Sequence, residues 1–109
     1  MQRLTFYGRD RQQYQFFVYP NTTAFRAVPA IYAFLTSDDG HGCVLYIGQT
    51  HDLSTRFENH HKWEDATRLG FKFIGVCPMD AHNLDRVERS LIQAYFPPCN
   101  DELRQHSDE

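Results

Sequence analysis

The chain has 109 residues, of which 41% are hydrophobic and 15% aromatic, so it can build one compact core and therefore one small domain. No apolar run reaches the ~18 residues of a membrane span, and the N-terminus lacks the apolar stretch of a signal peptide. Three cysteines without a CxxC pair are typical of reduced thiols, which predicts a cytoplasmic protein.

The net charge of −3 argues weakly against binding to nucleic acid, but the excess is local. Residues 101–109, DELRQHSDE, hold four acidic residues and one arginine, which leaves ten basic and ten acidic residues in 1–100. Nine of the eleven basic residues are Arg, which suits bidentate contact with phosphate. We expect one domain over 1–100 and a disordered acidic tail over 101–109.

The first 27 residues predict a β-hairpin, because LTFY and QYQFFVY are β-rich and flank the turn sequence GRDRQ. From residue 28 the pattern predicts the order β-β-α-β-α. Its strands are expected at 28–36, 43–49 and 71–77, with helices from Leu53 through His61, at 63–70 and at 81–96, where Pro97 and Pro98 end the last helix.

Two consecutive predicted strands each carry a tyrosine, Tyr32 in AIYAF and Tyr46 in VLYIG. If the connecting turn holds an odd number of residues centred on Asp39, Tyr32 pairs directly with Tyr46 on one face; an even turn separates them. The simplest interpretation of such a pair is core packing between strands. Gly48 favours a different interpretation, in which the tyrosines face something other than a core. A glycine late in a strand often marks the close approach of another backbone or a ligand.

Arg56 and His60 are four residues apart in the predicted helix from Leu53, so both would project from one helix face. By itself Arg56 would be a solvated surface residue. Asn100 follows the two prolines and could fold back as a polar anchor.

Glu88 is the least expected residue of the last helix, because it lies on the apolar stripe formed by Ala81, Leu84, Leu91 and Tyr95. A carboxylate on the core side of a helix needs a cation, a metal ion or several hydrogen-bond donors. Glu88 is therefore either half of a structural Glu–Arg pair or a functional carboxylate.

Taken in chain order, AIY at 30–32, YIG at 46–48, Arg56, Glu88 and Asn100 resemble the GIY-YIG nuclease family. The resemblance covers 28–100 and leaves 1–27 as an N-terminal hairpin extension. It departs from the family pattern at Ala30, which replaces the first glycine of the motif, and in a slightly longer separation between the two motifs.

The resemblance implies an α+β fold, with a small three-stranded antiparallel sheet flanked by helices. It implies a metal-dependent endonuclease that hydrolyses DNA phosphodiester bonds with one Mg²⁺ or Mn²⁺ ion. Glu88 would hold the metal and Arg56 would contact the phosphate oxygens. The other matching positions are Tyr32 as the base, Tyr46 as the group that orients water or phosphate, Asn100 as a positioning residue, and His60.

Three other interpretations stay open. The domain could bind branched or nicked DNA, or a targeting protein partner, without cutting. It could hold zinc, although its histidines and cysteines (His41, Cys43, His51, His60, His61, Cys77, His82 and Cys99) lack finger-like spacing. The hairpin aromatics could stack on bases, fill a core, or support edge pairing in a homodimer, so monomer and homodimer both remain possible. No contact with a membrane is predicted.

Overall fold

The structure is a computed structural model that describes residues 2–100, and it has an α+β fold with one sheet. The strands are β1 (Gln2–Tyr7), β2 (Gln13–Pro20), β3 (Ala30–Leu35), β4 (Val44–Thr50) and β5 (Phe73–Pro78), and the helices are α1 (Trp63–Arg68) and α2 (Leu84–Tyr95). A 3-10 turn at Ala81–Asn83 precedes α2. Within residues 2–100, none of the helices has the length and apolar character needed to cross a membrane. The predicted acidic tail lies outside the described residues.

The prediction of a three-stranded sheet is wrong, because the sheet has five antiparallel strands in the order β1-β2-β5-β3-β4. The N-terminal hairpin is part of this sheet: β2 pairs with β5, with Phe17 opposite Val76 and Pro20 opposite Phe73. The reason is burial, since alternate β2 residues, Phe16 and Val18, are buried in the same core as β3. The sequence predicted the hairpin but gave no signal for its edge partner.

The register of β3 and β4 corrects the prediction for the two tyrosines. Tyr32 lies opposite Gly48, and Phe34 lies opposite Tyr46. Both tyrosines share one face, as an odd turn requires, but they are diagonal neighbours rather than a direct pair. The register shifts between Phe34 and Leu35, so the pairing near the turn is not that of a simple hairpin.

The helix predicted from Leu53 through His61 does not form, and residues 53–59 make consecutive turns. The side chain of Asp52 accepts hydrogen bonds from the Ser54 N–H and hydroxyl at 3.0 and 2.6 Å. Asn59 has a left-handed backbone, φ 58°. Short polar side chains offer the backbone local partners that compete with a helix, which explains the irregular chain here. The predicted helices at 63–70 and 81–96 correspond to α1 and α2.

The sheet has two differently built faces. The helix face is covered by α2, whose Leu84, Val87, Leu91 and Ile92 pack against β-strand residues that include Ile31 and Ile47. Each such side chain stabilises the fold by about 1.5–3 kcal/mol through burial. The aromatic face is covered by the turn segment 51–62 and by α1, and it contains Tyr32, Phe34, Tyr46, Phe57, Trp63 and Phe71.

Candidate active site

The two tyrosines lie side by side on the aromatic face, with ring centroids 6.1 Å apart. Tyr32 is fully buried and Tyr46 is 9% exposed. The opposed residue, Gly48, leaves room for both rings, because an added Cβ would lie 2.5 Å from the Tyr32 hydroxyl oxygen and 2.8 Å from Cε2 of Tyr46. The close approach predicted at Gly48 is therefore that of the tyrosine rings themselves.

His60 is hydrogen-bonded to Tyr32, with 2.7 Å between its Nε2 and the hydroxyl oxygen. Its other ring nitrogen, Nδ1, accepts a hydrogen bond from the backbone N–H of Lys62 at 3.0 Å. Burial, helped by Arg56 and His61, lowers the pKa of His60 to about 3, so the ring is neutral near pH 7. A neutral ring that accepts at Nδ1 carries its proton on Nε2, and His60 therefore donates to Tyr32.

Arg56 stands beside the Tyr32 ring, with its guanidinium carbon 5.6 Å from the ring centroid. Burial raises the pKa of the Tyr32 phenol above its ordinary value, repulsion from Tyr46 adds to the rise, and the Arg56 charge opposes it. Among residues 2–100, Arg56 is in no salt bridge. This half-buried guanidinium is therefore available to an anion.

Glu88 reaches the site from α2, which covers the opposite face of the sheet. Its carboxylate accepts a hydrogen bond from the Gln49 side-chain amide at 3.0 Å, and the same amide donates to Asp85 at 2.5 Å. Burial raises the pKa of Glu88 and Asp85 adds to the rise, while the Gln49 hydrogen bond and the charge of Arg56 oppose it. Glu88 also acts electrostatically on Tyr32, adding to the rise of the pKa of the phenol.

The carboxylates fit a hard divalent cation of the Mg²⁺ type. Such an ion keeps several waters and binds through one or two carboxylates, and Glu88 and Asp85 share one amide donor on the same helix edge. A cation there would offset the burial and the repulsion from Asp85, which together raise the pKa of Glu88. In the described part of the chain no three His, Cys, Asp or Glu residues cluster as metal ligands, so the alternative of a closed zinc site gains no support.

Asn100 forms side-chain hydrogen bonds to the backbone at the outer edge of β4. Its side-chain oxygen accepts from the Ile47 N–H at 3.0 Å and its amide donates to the Ile47 carbonyl at 2.9 Å. The neighbouring Cys99 N–H donates to the carbonyl of Leu45 at 2.9 Å. The segment after α2 thus satisfies backbone groups of β4 next to Tyr46.

The structure brings four predicted residues together on the aromatic face, namely Tyr32, Tyr46, Arg56 and His60. Glu88 contacts Gln49 on the helix side of the sheet, and Asn100 lies behind β4. Arg56 and His60 arrive on turns rather than on the predicted helix. The structural Glu–Arg pair considered for Glu88 is replaced by the contact with Gln49. Gln49 was missed, although its place two residues after Ile47 puts it on the helix face. His61, which the sequence offered only as a zinc candidate, is stacked on His60 with ring centroids 4.9 Å apart.

Comparisons with protein-family models, with curated proteins and with solved structures find no match to this chain. The resemblance to GIY-YIG nucleases therefore stays a prediction that rests on the residues themselves.

Proposed function

We propose that the protein is a metal-dependent endonuclease that hydrolyses DNA phosphodiester bonds. The observation that carries the proposal is the convergence of two phenols, one imidazole and one guanidinium on the aromatic face, with the half-buried carboxylate of Glu88 acting electrostatically on Tyr32. These groups come from β3, β4, the turn segment 51–62 and α2. A core needs none of these polar groups, whereas hydrolysis of a phosphate diester needs a base, a cation and a phosphate clamp.

In this reaction Tyr32 first loses its own proton to solvent, and the phenolate then takes the proton of the attacking water. A phenol with a raised pKa is a poor source of phenolate, so its environment must change when substrate binds. Burial is the largest cause of the raised pKa, and access of water to Tyr32 would remove it. The His60 Nε2–H and the charge of Arg56 both favour the phenolate, because the first donates to its oxygen and the second attracts its charge.

The remaining groups act on the phosphate. Arg56 is placed to donate to the non-bridging oxygens, and Tyr46 orients the water or the phosphate by hydrogen bonding. Glu88, with Asp85 next to it, would hold the divalent ion, which would stabilise the negative charge that develops on the phosphoryl group and the departing 3′ oxygen. Asn100 keeps β4, and with it Tyr46, in position.

The test is cleavage of plasmid, flap and branched DNA by purified protein with Mg²⁺ or Mn²⁺, compared with the same reaction in chelator. Tyr32→Phe should lower the rate by about 10²–10⁴-fold, because it removes the base and little volume. Glu88→Ala should abolish metal-dependent cleavage. Both variants should unfold at nearly the wild-type temperature.

Two variants serve as controls for the same chemical changes elsewhere. Tyr7→Phe changes an exposed phenol, and Glu64→Ala removes an exposed carboxylate of α1. Both should cleave at the wild-type rate. Full activity of Tyr32→Phe or of Glu88→Ala would reject the assignment.

One observation favours a second candidate, a module that binds DNA structures or a protein partner without cutting. Tyr32 is fully buried and His60 only 6% exposed, so the base is closed off from solvent in this conformation. A wild-type protein that binds branched DNA in chelator, yet nicks no substrate with either metal, would support this candidate over the nuclease.

A further inference from the structure

A groove lies beside the candidate site, between α2 and the turn that connects β1 to β2. It has a volume of about 580 Å³, and its lining includes Arg9, His82, Arg86 and Arg89 together with Asp10 and Gln93. All six side chains are exposed. The resemblance to a nuclease family assigned no role to any of them.

The turn is fixed against the helix, so the groove has a defined shape. The Asp10 N–H donates to the Ser90 hydroxyl at 3.1 Å, and the Arg9 N–H donates to the Ser90 carbonyl at 3.2 Å. Gly8 allows this contact, because a Cβ there would collide with the Ser90 hydroxyl and the Asp10 carboxylate. The position of Arg9 next to α2 is therefore set by backbone contacts.

The positive charge of the groove is only partly neutralised. Arg86 lies 3.6 Å from the Asp10 carboxylate, which also accepts from the Gln12 N–H and the Tyr14 hydroxyl. Arg9 and Arg89 are in no salt bridge with any residue of 2–100. Two exposed guanidinium groups thus face the groove without a carboxylate partner, an arrangement that suits phosphate oxygens.

The groove continues into the candidate site. Asp85 is part of its lining and shares the Gln49 amide with Glu88. Arg89 acts electrostatically on Glu88 and opposes the rise of its pKa that burial causes. A strand with its scissile phosphate near Glu88 and Arg56 would therefore have neighbouring phosphates within reach of the groove.

We propose that Arg9 and Arg89 form a second phosphate-binding site, which holds the DNA backbone beside the cleaved bond. This inference rests on the proposed function for the identity of the ligand, but binding can be measured apart from cleavage. In this proposal the N-terminal hairpin contributes to DNA binding, because its turn supplies Arg9. The site recognises the backbone and carries no preference for base sequence.

The experiment measures the affinity of labelled branched DNA for the protein in chelator across a salt series, by fluorescence anisotropy. The double variant Arg9→Gln/Arg89→Gln should bind about tenfold more weakly, with the slope of log affinity against log salt reduced by about 2, or about 0.9 for each lost contact. The control, Arg3→Gln/Arg68→Gln, makes the same charge change on β1 and α1 and should keep the wild-type slope.

The outcomes for the groove and for the nuclease are distinguishable. If the wild type cleaves DNA but the double variant binds with the affinity and slope of the control, the groove inference is overturned and the nuclease stands. If the double variant loses affinity while no protein cleaves DNA, the groove inference is supported and the nuclease fails. Thermal melting confirms that both double variants are folded.

Discussion

The two faces of the sheet show how one small domain separates stability from chemistry. On the helix face a regular helix packs on the strands with mainly aliphatic side chains, Leu84, Val87 and Leu91 among them. On the aromatic face an irregular segment, 51–62, covers tyrosine, phenylalanine and histidine rings. Every strand residue of β3 is buried, and alternate residues serve the two faces.

The contrast between the two faces indicates that a small core can hold a polar site where an irregular segment, rather than a helix, covers the sheet. The aromatic face keeps its polar atoms bonded to one another, as in the contact of Tyr32 with His60, and none of the buried side-chain polar atoms among the described residues lacks a partner. Turns can carry Arg56 and His60 over the sheet because no regular helix limits their approach. Three measurements test whether the two faces differ in rigidity and in their response to pH.

The largest effect should come from truncating a leucine on the helix face. Leu91 is fully buried between α2 and the sheet, and Leu53, 2% exposed, lies under the turn segment. Leu91→Ala should lower the free energy of unfolding by about 4 kcal/mol and Leu53→Ala by about 2 kcal/mol, because an irregular segment can settle into the cavity more fully than a helix can. Urea denaturation measures both. An equal or larger loss for Leu53→Ala would show that the turn segment is as rigid as α2.

The next effect concerns two glycines on opposite faces. Gly48→Ala should cost about 2–3 kcal/mol and disturb both tyrosines, since the new Cβ would lie 2.5 Å from the Tyr32 hydroxyl oxygen. Gly75→Ala is the matched control, because its Cβ would meet Leu35 and Phe16 at 3.3 Å. It should change stability by less than about 1 kcal/mol. Thermal melts together with tyrosine fluorescence report both; a benign Gly48→Ala would mean that the rings are loosely held.

Much of the core region could be predicted from the sequence, because strong local patterns specify it. Alternation and apolar runs gave the strands, and the prolines after residue 96 placed the end of α2. The helix stripe was predicted less well: Ala81 is exposed, whereas Val87 and Ile92 are buried. The 3-10 turn before α2 has fewer residues per turn than an α-helix, so the side chains of its residues point in other directions than an α-helical period predicts. Hydrophobic periodicity alone cannot show that change.

The site was predicted as a set of residues but not as a geometry. Glu88 was informative because a carboxylate is unusual on the apolar stripe of a helix, and Tyr32 and Tyr46 were informative because they occur in two consecutive strands. The helix predicted for the turn segment was wrong, because local side-chain hydrogen bonds, such as that from the Ser54 N–H to Asp52, compete with helix formation. The strand partner of the hairpin was missed for a related reason: pairing between β2 and β5 spans more than fifty residues, and nothing local encodes it.

The smallest effect is a pH dependence that only the aromatic face should show. The pKa of His60 is about 3 in the folded protein and 6.5 at its ordinary value, so the unfolded chain binds a proton in this range that the folded chain does not. Stability from this residue is therefore complete above about pH 6.5 and is lost as the pH falls toward about 3. Between about pH 7 and pH 4 the loss should be on the order of 2 kcal/mol.

His60→Gln tests this assignment, because glutamine keeps an N–H donor for Tyr32 and cannot take up the proton. Its free energy of unfolding should fall less than that of the wild type as the pH is lowered, while carboxylates that titrate in the same range affect both proteins alike. His41→Gln removes an exposed histidine from the turn before β4 and should keep the wild-type profile. Parallel profiles for all three proteins would show that His60 takes up a proton in the fold as readily as in the unfolded chain, so that the fold does not hold it as a neutral donor to Tyr32.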